Sequence, residues 1–144
     1  RWYVIAYSPG TDDVRCYALD RMERVIISDK VFKMPKNLEP ADYFKDCFGI
    51  INNKDSEVQK VVLKVDAFQS NYIRNLPLHD SQKETKRTDE YSIFEYHLKP
   101  EFDFEQEIFS NMDTMEVLEP QWLREEVSER LRNLAKKYKI CPSS

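Results

Sequence analysis

Arg1-Trp2-Tyr3-Val4-Ile5-Ala6-Tyr7-Ser8 is the most apolar and aromatic run of the chain, and the fold is read outward from it. A second run, Arg15-Cys16-Tyr17-Ala18-Leu19-Asp20-Arg21-Met22, comes after the turn-rich Ser8-Pro9-Gly10-Thr11-Asp12-Asp13. Two β-prone runs joined by a Pro/Gly/Asp loop predict a hairpin. Side chains alternate across a strand, so Trp2, Val4 and Ala6 share one face, and Arg1, Tyr3, Ile5 and Tyr7 the other. In the second strand Arg15, Tyr17, Leu19 and Arg21 lie together. The first strand has no polar face, which predicts a sandwiched, central strand. Such a strand needs partners beyond the hairpin.

The 144 residues allow one ordinary domain or two small ones. A chain of this length buries roughly two thirds of its unfolded surface, enough for a core without staples. Charged residues make up 33% and hydrophobic ones 41%, a globular balance rather than a disordered one. The net charge of −4 means that global electrostatics do not recruit nucleic acid. Locally the sign changes: Arg1 to Lys36 carries seven Lys/Arg against five Asp/Glu, and the remainder is acidic. With only 2 glycines, turns must rely on Pro, Asn and Asp. Cys16, Cys47 and Cys141 are odd in number and lack C-x-x-C spacing. They read as buried or incidental thiols rather than a disulfide framework or zinc site, and they suit a reducing, cytoplasmic compartment. The sequence contains no membrane-length apolar run and no secretory signal. It has no initiator Met and opens in mid-strand, so the expectation is a fragment of a longer protein.

Further along, Arg24-Val25-Ile26-Ile27-Ser28 predicts a third strand, which Val31-Phe32-Lys33-Met34 can continue. Pro35 to Pro40 is a connector. Asn37, Glu39, Asp42 and Pro40 supply helix-start chemistry for a short helix over Ala41 to Cys47. Its Tyr43, Phe44 and Phe48 are expected to pack inward, with Gly49 as the stop. Ile51 to Glu57 is polar and aperiodic, which divides the chain into residues 1–52 and 57–140. The second part reads as strand Val58–Val65, a helix Ala67–Leu76 capped by Asp66, strands Ser81–Lys86 and Tyr91–Leu98, a helix Glu101–Met112 and strand Met115–Leu118. The first helix is expected to bury Phe68, Tyr72 and Ile73 or Leu76. The second is expected to bury Phe102, Ile108, Phe109 and Met112. This β-α-β-β-α-β order is the split-βαβ, ferredoxin-like arrangement. A last helix starts at Pro120, with Leu123, Val127, Leu131, Leu134 and Tyr138 on one stripe that packs on its own domain or on a neighbour.

Catalytic groups are sparse. His97 stands in a strand, and His79-Asp80-Ser81-Gln82 holds neighbours that cannot take the nucleophile, base and orienter positions of a triad. That run reads instead as a loop whose His and Ser satisfy backbone groups. Phosphate-loop, dinucleotide and H-E-x-x-H motifs are lacking. No enzyme, cofactor or metal is expected. Arg1, Tyr3, Arg15, Tyr17 and Arg21 differ, because arginine and tyrosine on paired strands offer planar donors to phosphate and flat faces to bases. The ordinary alternative places Tyr3 and Tyr17 in the core, Arg15 in solvent, and Arg21 against Asp20 or Glu23.

Trp2-Tyr3-Val4 and Leu19-Asp20-Arg21-Met22 resemble the Trp-Tyr-Leu and Leu-Asp-Arg-Ile signatures of the WYL domain of bacterial transcription regulators. Val4 replaces Leu, and Met22 replaces Ile. Phe48-Gly49-Ile50, Pro77-Leu78-His79-Asp80-Ser81-Gln82, and Leu118-Glu119-Pro120 ahead of Leu123-Arg124-Glu125 resemble the end of that domain and its WCX extension. The resemblance implies an α+β protein. Strands of a partial Sm-like barrel would come first, then the ferredoxin-like unit and the C-terminal helix. It further implies an effector-sensing, dimerising region that binds single-stranded nucleic acid or a nucleotide-like ligand. Promoter DNA would be reached only through a winged helix-turn-helix domain that these residues do not include. Tyr3 and Arg21 carry over from the family's motifs, while Arg1, Arg15 and Tyr17 join them by strand position. The alternative is a purely structural oligomerisation region.

Overall fold

The computed structural model describes residues 1–8, 10, 13–34, 36 and 39–140. Pro9, Thr11 and Asp12 of the expected turn, Asn37 of the helix-start signal, and Cys141 lie outside the described residues. The protein is α+β, with antiparallel sheets and a C-terminal helix, and it divides into two compact units at Tyr43/Phe44.

In the first unit, β1 (Tyr3–Tyr7) pairs antiparallel with β2 (Val14–Ala18), Tyr3 opposite Ala18 and Tyr7 opposite Val14. The Ser8 N–H donates to the Asp13 carbonyl at 2.8 Å, and Gly10 takes φ +79°, the left-handed region that suits a residue without a β-carbon. The expected hairpin is present, but β1 is not sandwiched. Among the described residues its only strand partner is β2, and Trp2 is 83% exposed. The second strand also stops early: Leu19–Arg21 forms a 3-10 turn, so Leu19 and Arg21 leave the strand.

Arg24–Ser28 is not a strand. Arg24 sits at φ +52°, which interrupts an extended backbone, and no described strand offers the segment a ladder. Val25, Ile26, Ile27, Val31, Phe32 and Met34 are all exposed, Ile27 at 97%. Strand propensity without a partner does not make a strand. A short helix, α1 (Pro40–Phe44), comes next. It ends earlier than expected, and the Tyr43 hydroxyl donates to the Val14 carbonyl of β2 at 3.4 Å.

The second unit begins at Phe44, ahead of the 51–57 segment, because that connecting stretch is fastened to Lys99, Asp103 and Phe104. Phe48 meets Phe104 edge to face at 5.4 Å, and Lys99 Nζ donates to Asn52 Oδ1 at 2.8 Å. The Asp103 carboxylate accepts from the N–H groups of Ile50 and Ile51 at 3.1 and 3.4 Å. The main sheet contains β3 (Gln59–Asp66), β4 (Lys83–Arg87), β5 (Tyr91–Leu98) and β6 (Met115–Glu119), in the spatial order β4-β5-β3-β6, every pair antiparallel. Val61, Leu63 and Val65 of β3, Phe94, Tyr96 and Leu98 of β5, and Met115 and Val117 of β6 bury one face of it.

That face carries α2 (Ala67–Asn75), α3 (Phe102–Ser110) and α4 (Gln121–Lys137). Asp66 caps α2 as expected, accepting from the Gln69 N–H at 2.7 Å. The helix is nevertheless turned from the expected face. Ile73, one of the two expected alternatives, is buried together with Ser70, whereas Phe68, Tyr72 and Leu76 point to solvent. Two contacts set this rotation. The Ser70 hydroxyl donates to the Val65 carbonyl at 3.1 Å, a close approach that a large side chain would prevent, and Arg74 reaches Glu84 on β4 at 2.8 Å. In α3, Ile108 is buried as expected, but Phe104 takes the place assigned to Phe102, which is exposed. Along α4 the stripe divides: Leu123 and Val127 are buried in its own unit, and Leu131, Leu134 and Tyr138 are increasingly exposed.

Candidate functional site

The register of the hairpin decides which side chains can act together. Residues directly opposite on paired strands share a face. Val4 stands opposite Tyr17 and Ala6 opposite Arg15, so Tyr17 and Arg15 share the face of Val4 and Ala6. Tyr3 stands opposite Ala18, on the other face with Ile5 and Cys16. Tyr3 and Tyr17 are therefore back to back. Arg15 lies about 10 Å along the strand from the level of Tyr3, at ~3.4 Å per residue.

The start of the chain and the 3-10 turn come together at one end of this hairpin. The Leu19 N–H donates to the Trp2 carbonyl at 3.0 Å, prolonging the ladder by one bond. Arg1 Nε lies 3.2 Å from Asp20 Oδ2, both side chains half-exposed. Asp20 is thus taken by Arg1 rather than by its neighbour. Arg21 is exposed and makes no ion pair among the described residues, with Asp20 or Glu23 or otherwise. Register thus separates Tyr3 from Arg15 and Tyr17 by face, while Arg1, Tyr3 and Arg21 lie toward one end of the hairpin. At that end, Arg21 is the guanidinium without an ion pair among the described residues.

The second unit offers less. His79 is held from both sides: Nδ1 lies 2.8 Å from the Ser81 hydroxyl and 3.1 Å from its N–H, and Nε2 lies 3.0 Å from the Lys45 carbonyl. Ser81 also accepts from the His97 N–H at 2.8 Å. These bonds tie a loop to a strand, as expected for that run, and leave neither side chain poised toward a substrate. Nearby, Gln82 takes the Tyr96 hydroxyl at 3.0 Å and the Leu78 N–H at 3.0 Å, and burial pushes the Tyr96 phenol up. The uncovered face of the sheet is a ladder of opposed charges: Lys60 with Glu95 and Glu119, Lys64 with Glu116, and His97 beside Glu95. Lys64 and Lys86 flank the Tyr91 ring at 4.9 and 5.2 Å. With its lysines already matched by carboxylates, this face attracts phosphate weakly. Its signal in the sequence was the charge at alternate positions of β3 and β5. Among the described residues there is no cluster of three or more His, Cys, Asp or Glu that could hold a metal, and no helix is long and apolar enough to cross a membrane.

Residues 57–135 match the family model of the WCX domain, and residues 1–27 match that of the WYL domain. The chain belongs to the WYL–WCX family. No curated protein is significantly similar to it. WYL and WCX domains are typical of the sensing regions of regulators, and the WYL match covers all five hairpin candidates. The WCX match spans the four-stranded sheet and most of α4, so the pinned His79 and the charge ladder both fall within the WCX domain.

Proposed function

We propose that this chain is the effector-sensing and dimerising region of a bacterial WYL-type transcription regulator. Its WYL hairpin binds a phosphate-bearing ligand, either single-stranded nucleic acid or a nucleotide. The observation that carries this reading is Arg21, exposed in the family's Leu-Asp-Arg-Ile position without an acid partner among the described residues, while Asp20 beside it is engaged by Arg1. Arg21 supplies the planar donor pair for phosphate, and Tyr3 supplies a ring near the same end of the hairpin. Arg15 and Tyr17 form a separate contact on the opposite face, suited to a ligand long enough to wrap the strand pair. Bound ligand alters the arrangement of subunits through its unequal affinity for two states, and so acts on a DNA-binding domain elsewhere in the protein.

The finer architecture belongs to the same proposal. The order β4-β5-β3-β6, with α2 joining β3 to β4 and α3 joining β5 to β6, supports the ferredoxin-like reading of the WCX unit. The two-stranded hairpin, which has no further strand partner among the described residues, supports the reading of a partial Sm-like barrel. The role is regulatory rather than catalytic, in a reducing cytoplasm that suits the free thiols of Cys16 and Cys47.

Fluorescence anisotropy of labelled single-stranded oligonucleotides, with cyclic nucleotides as competitors, tests the ligand. Binding is expected to be strongest at low salt and to weaken as counterions compete. If no probe binds at low salt, the sensing role falls and a structural oligomerisation region takes its place. The exposed apolar face of α2 favours that second reading.

A further inference from the structure

We infer that the outer face of α2 is where two copies of this chain meet, the helix packing antiparallel against its own twin. The inference deepens the dimerising part of the proposed function and rests on it.

Phe68 and Tyr72 stand at i and i+4 on one face of α2, and Leu76, the cap residue just past its end, follows at i+8. They are 68%, 57% and 78% exposed, while Ile73 on the opposite side is 2% exposed. The Phe68 and Tyr72 rings already meet edge to face at 5.2 Å, with Asn71 and Asn75 bordering the recess beside them. Solvent-exposed helix positions in a chain with 33% charged residues would ordinarily carry Lys or Glu. This face carries three large apolar side chains and two amides, and no charge.

The chemistry of the face selects its occupant. A nucleic acid needs cations and an acidic or basic peptide needs opposite charge, and neither is offered here. The charged side chain of the helix, Arg74, donates to Glu84, Ser92 and the Asn71 amide oxygen, so its charge is matched by the Glu84 carboxylate. A second copy needs only that no charge meet its own image across the axis, a condition the face satisfies. Its spacing is self-complementary as well. Tyr72 lies four residues from Phe68 and four from Leu76. An antiparallel pairing centred on Tyr72 therefore sets Phe68 against the partner's Leu76, Leu76 against the partner's Phe68, and the two Tyr72 rings together at the two-fold axis. Contacts repeated in this way define an isologous interface. The stripe is short, about 12 Å at 1.5 Å per residue. It is smaller than the ~800 Å² per partner of a standard interface, so the pairing is expected to be concentration-dependent.

Sedimentation equilibrium of the 144-residue chain across a concentration series is the test. A monomer–dimer equilibrium is expected for the unaltered chain. Tyr72→Asp and Tyr72→Lys should each weaken it about tenfold or more, as central interface residues do. Because Tyr72 is exposed, both variants should keep the parent melting temperature, which separates loss of pairing from loss of fold. Mixing the two variants should restore dimer, since opposite charges then face each other across the axis. A mixture that stays monomeric would overturn the antiparallel geometry. A dimer untouched by either variant would overturn the α2 interface while leaving the dimerising role intact. A parent chain that is monomeric at every concentration would remove both.

Discussion

The Asp103 carboxylate occupies the space that a β-carbon on Gly49 would fill, and from there it accepts the N–H groups of Ile50 and Ile51. Gly49 is therefore required by the close approach of a side chain rather than by an unusual backbone angle. Gly49→Ala should displace Asp103, leave those donors unmet and cost about 1–3 kcal/mol. Asp103→Ala removes the same bonds, so the double variant should cost little more than either single change. Denaturant titrations of the three variants check this, and full additivity would show that the two residues act separately.

The rotation of α2 yields a paired expectation. Ile73→Ala truncates a buried side chain and should cost about 2–5 kcal/mol. Phe68→Ala removes a larger one from solvent and should stay within roughly 0.5 kcal/mol of the parent. The reverse order in chemical denaturation would mean that the helix packs on its aromatic side.

Glu84 gives an acid-dependent stability. Hydrogen bonds from the Arg74 guanidinium hold its carboxyl at about 2, well below the usual carboxylate range. A carboxylate whose folded value is depressed stabilises the protein fully above its ordinary value of 4.5, and that contribution is lost as pH falls toward about 2. Glu84→Gln should lower the melting temperature near neutrality and narrow its difference from the parent through this window. A difference that stays constant with pH would separate the pair from stability.

Trypsin should cut the first unit after Arg24, Lys30 or Lys33 before it cuts after Lys54. Residues 22–34 are exposed and lack a strand ladder, while the stretch around Lys54 is held by Lys99 through Asn52 Oδ1 at 2.8 Å and the Asn53 carbonyl at 3.1 Å. Mass spectrometry of early digestion products gives the order directly. First cleavage at Lys54 would put the vulnerable joint in the connecting stretch that the sequence suggested.

Arg21→Ala should leave the melting temperature nearly unchanged, since no described ion pair is lost, yet weaken a phosphate-bearing ligand by roughly 1.5–3 kcal/mol. Arg21→Lys should rescue little of that loss, because lysine keeps the charge but not the planar fork. A large drop in melting temperature would make Arg21 a structural residue.

Neighbouring residues settle some features among themselves, and those were legible in the sequence. Tyr91–Leu98 alternates cleanly and is β5, and Asp66 caps α2 from its own flank. The misreadings arose where a distant partner decides. Phe68 and Tyr72, with Ile73 or Leu76, looked like a core face, but of these only Ile73 is buried, because Ser70 fits closer to β3 and the helix turns accordingly. Val25, Ile26 and Ile27 have the composition of a strand without a described ladder to join. The separation of Tyr3 from Tyr17 arises from register, which the turn sets and strand composition does not. Arg21 was legible as a residue type, but its lack of an acid partner among the described residues depended on Arg1 reaching Asp20.

The two outer strands of the WCX sheet bear on how the protein survives at high concentration. β4 reads Lys83-Glu84-Thr85-Lys86-Arg87, and its register against β5 slips between Glu84 and Lys86. A foreign strand approaching there meets a row of cations on a kinked backbone. At the opposite margin, Arg124 of α4 donates to the Val117 carbonyl of β6, taking up an acceptor that an incoming strand would need. Both margins are thus closed to the edge-on stacking from which fibrils grow, although the hairpin exposes tryptophan and tyrosine. Material that aggregates on storage should therefore carry its new β-structure in residues 1–34, and the WCX amides should keep their protection from hydrogen exchange.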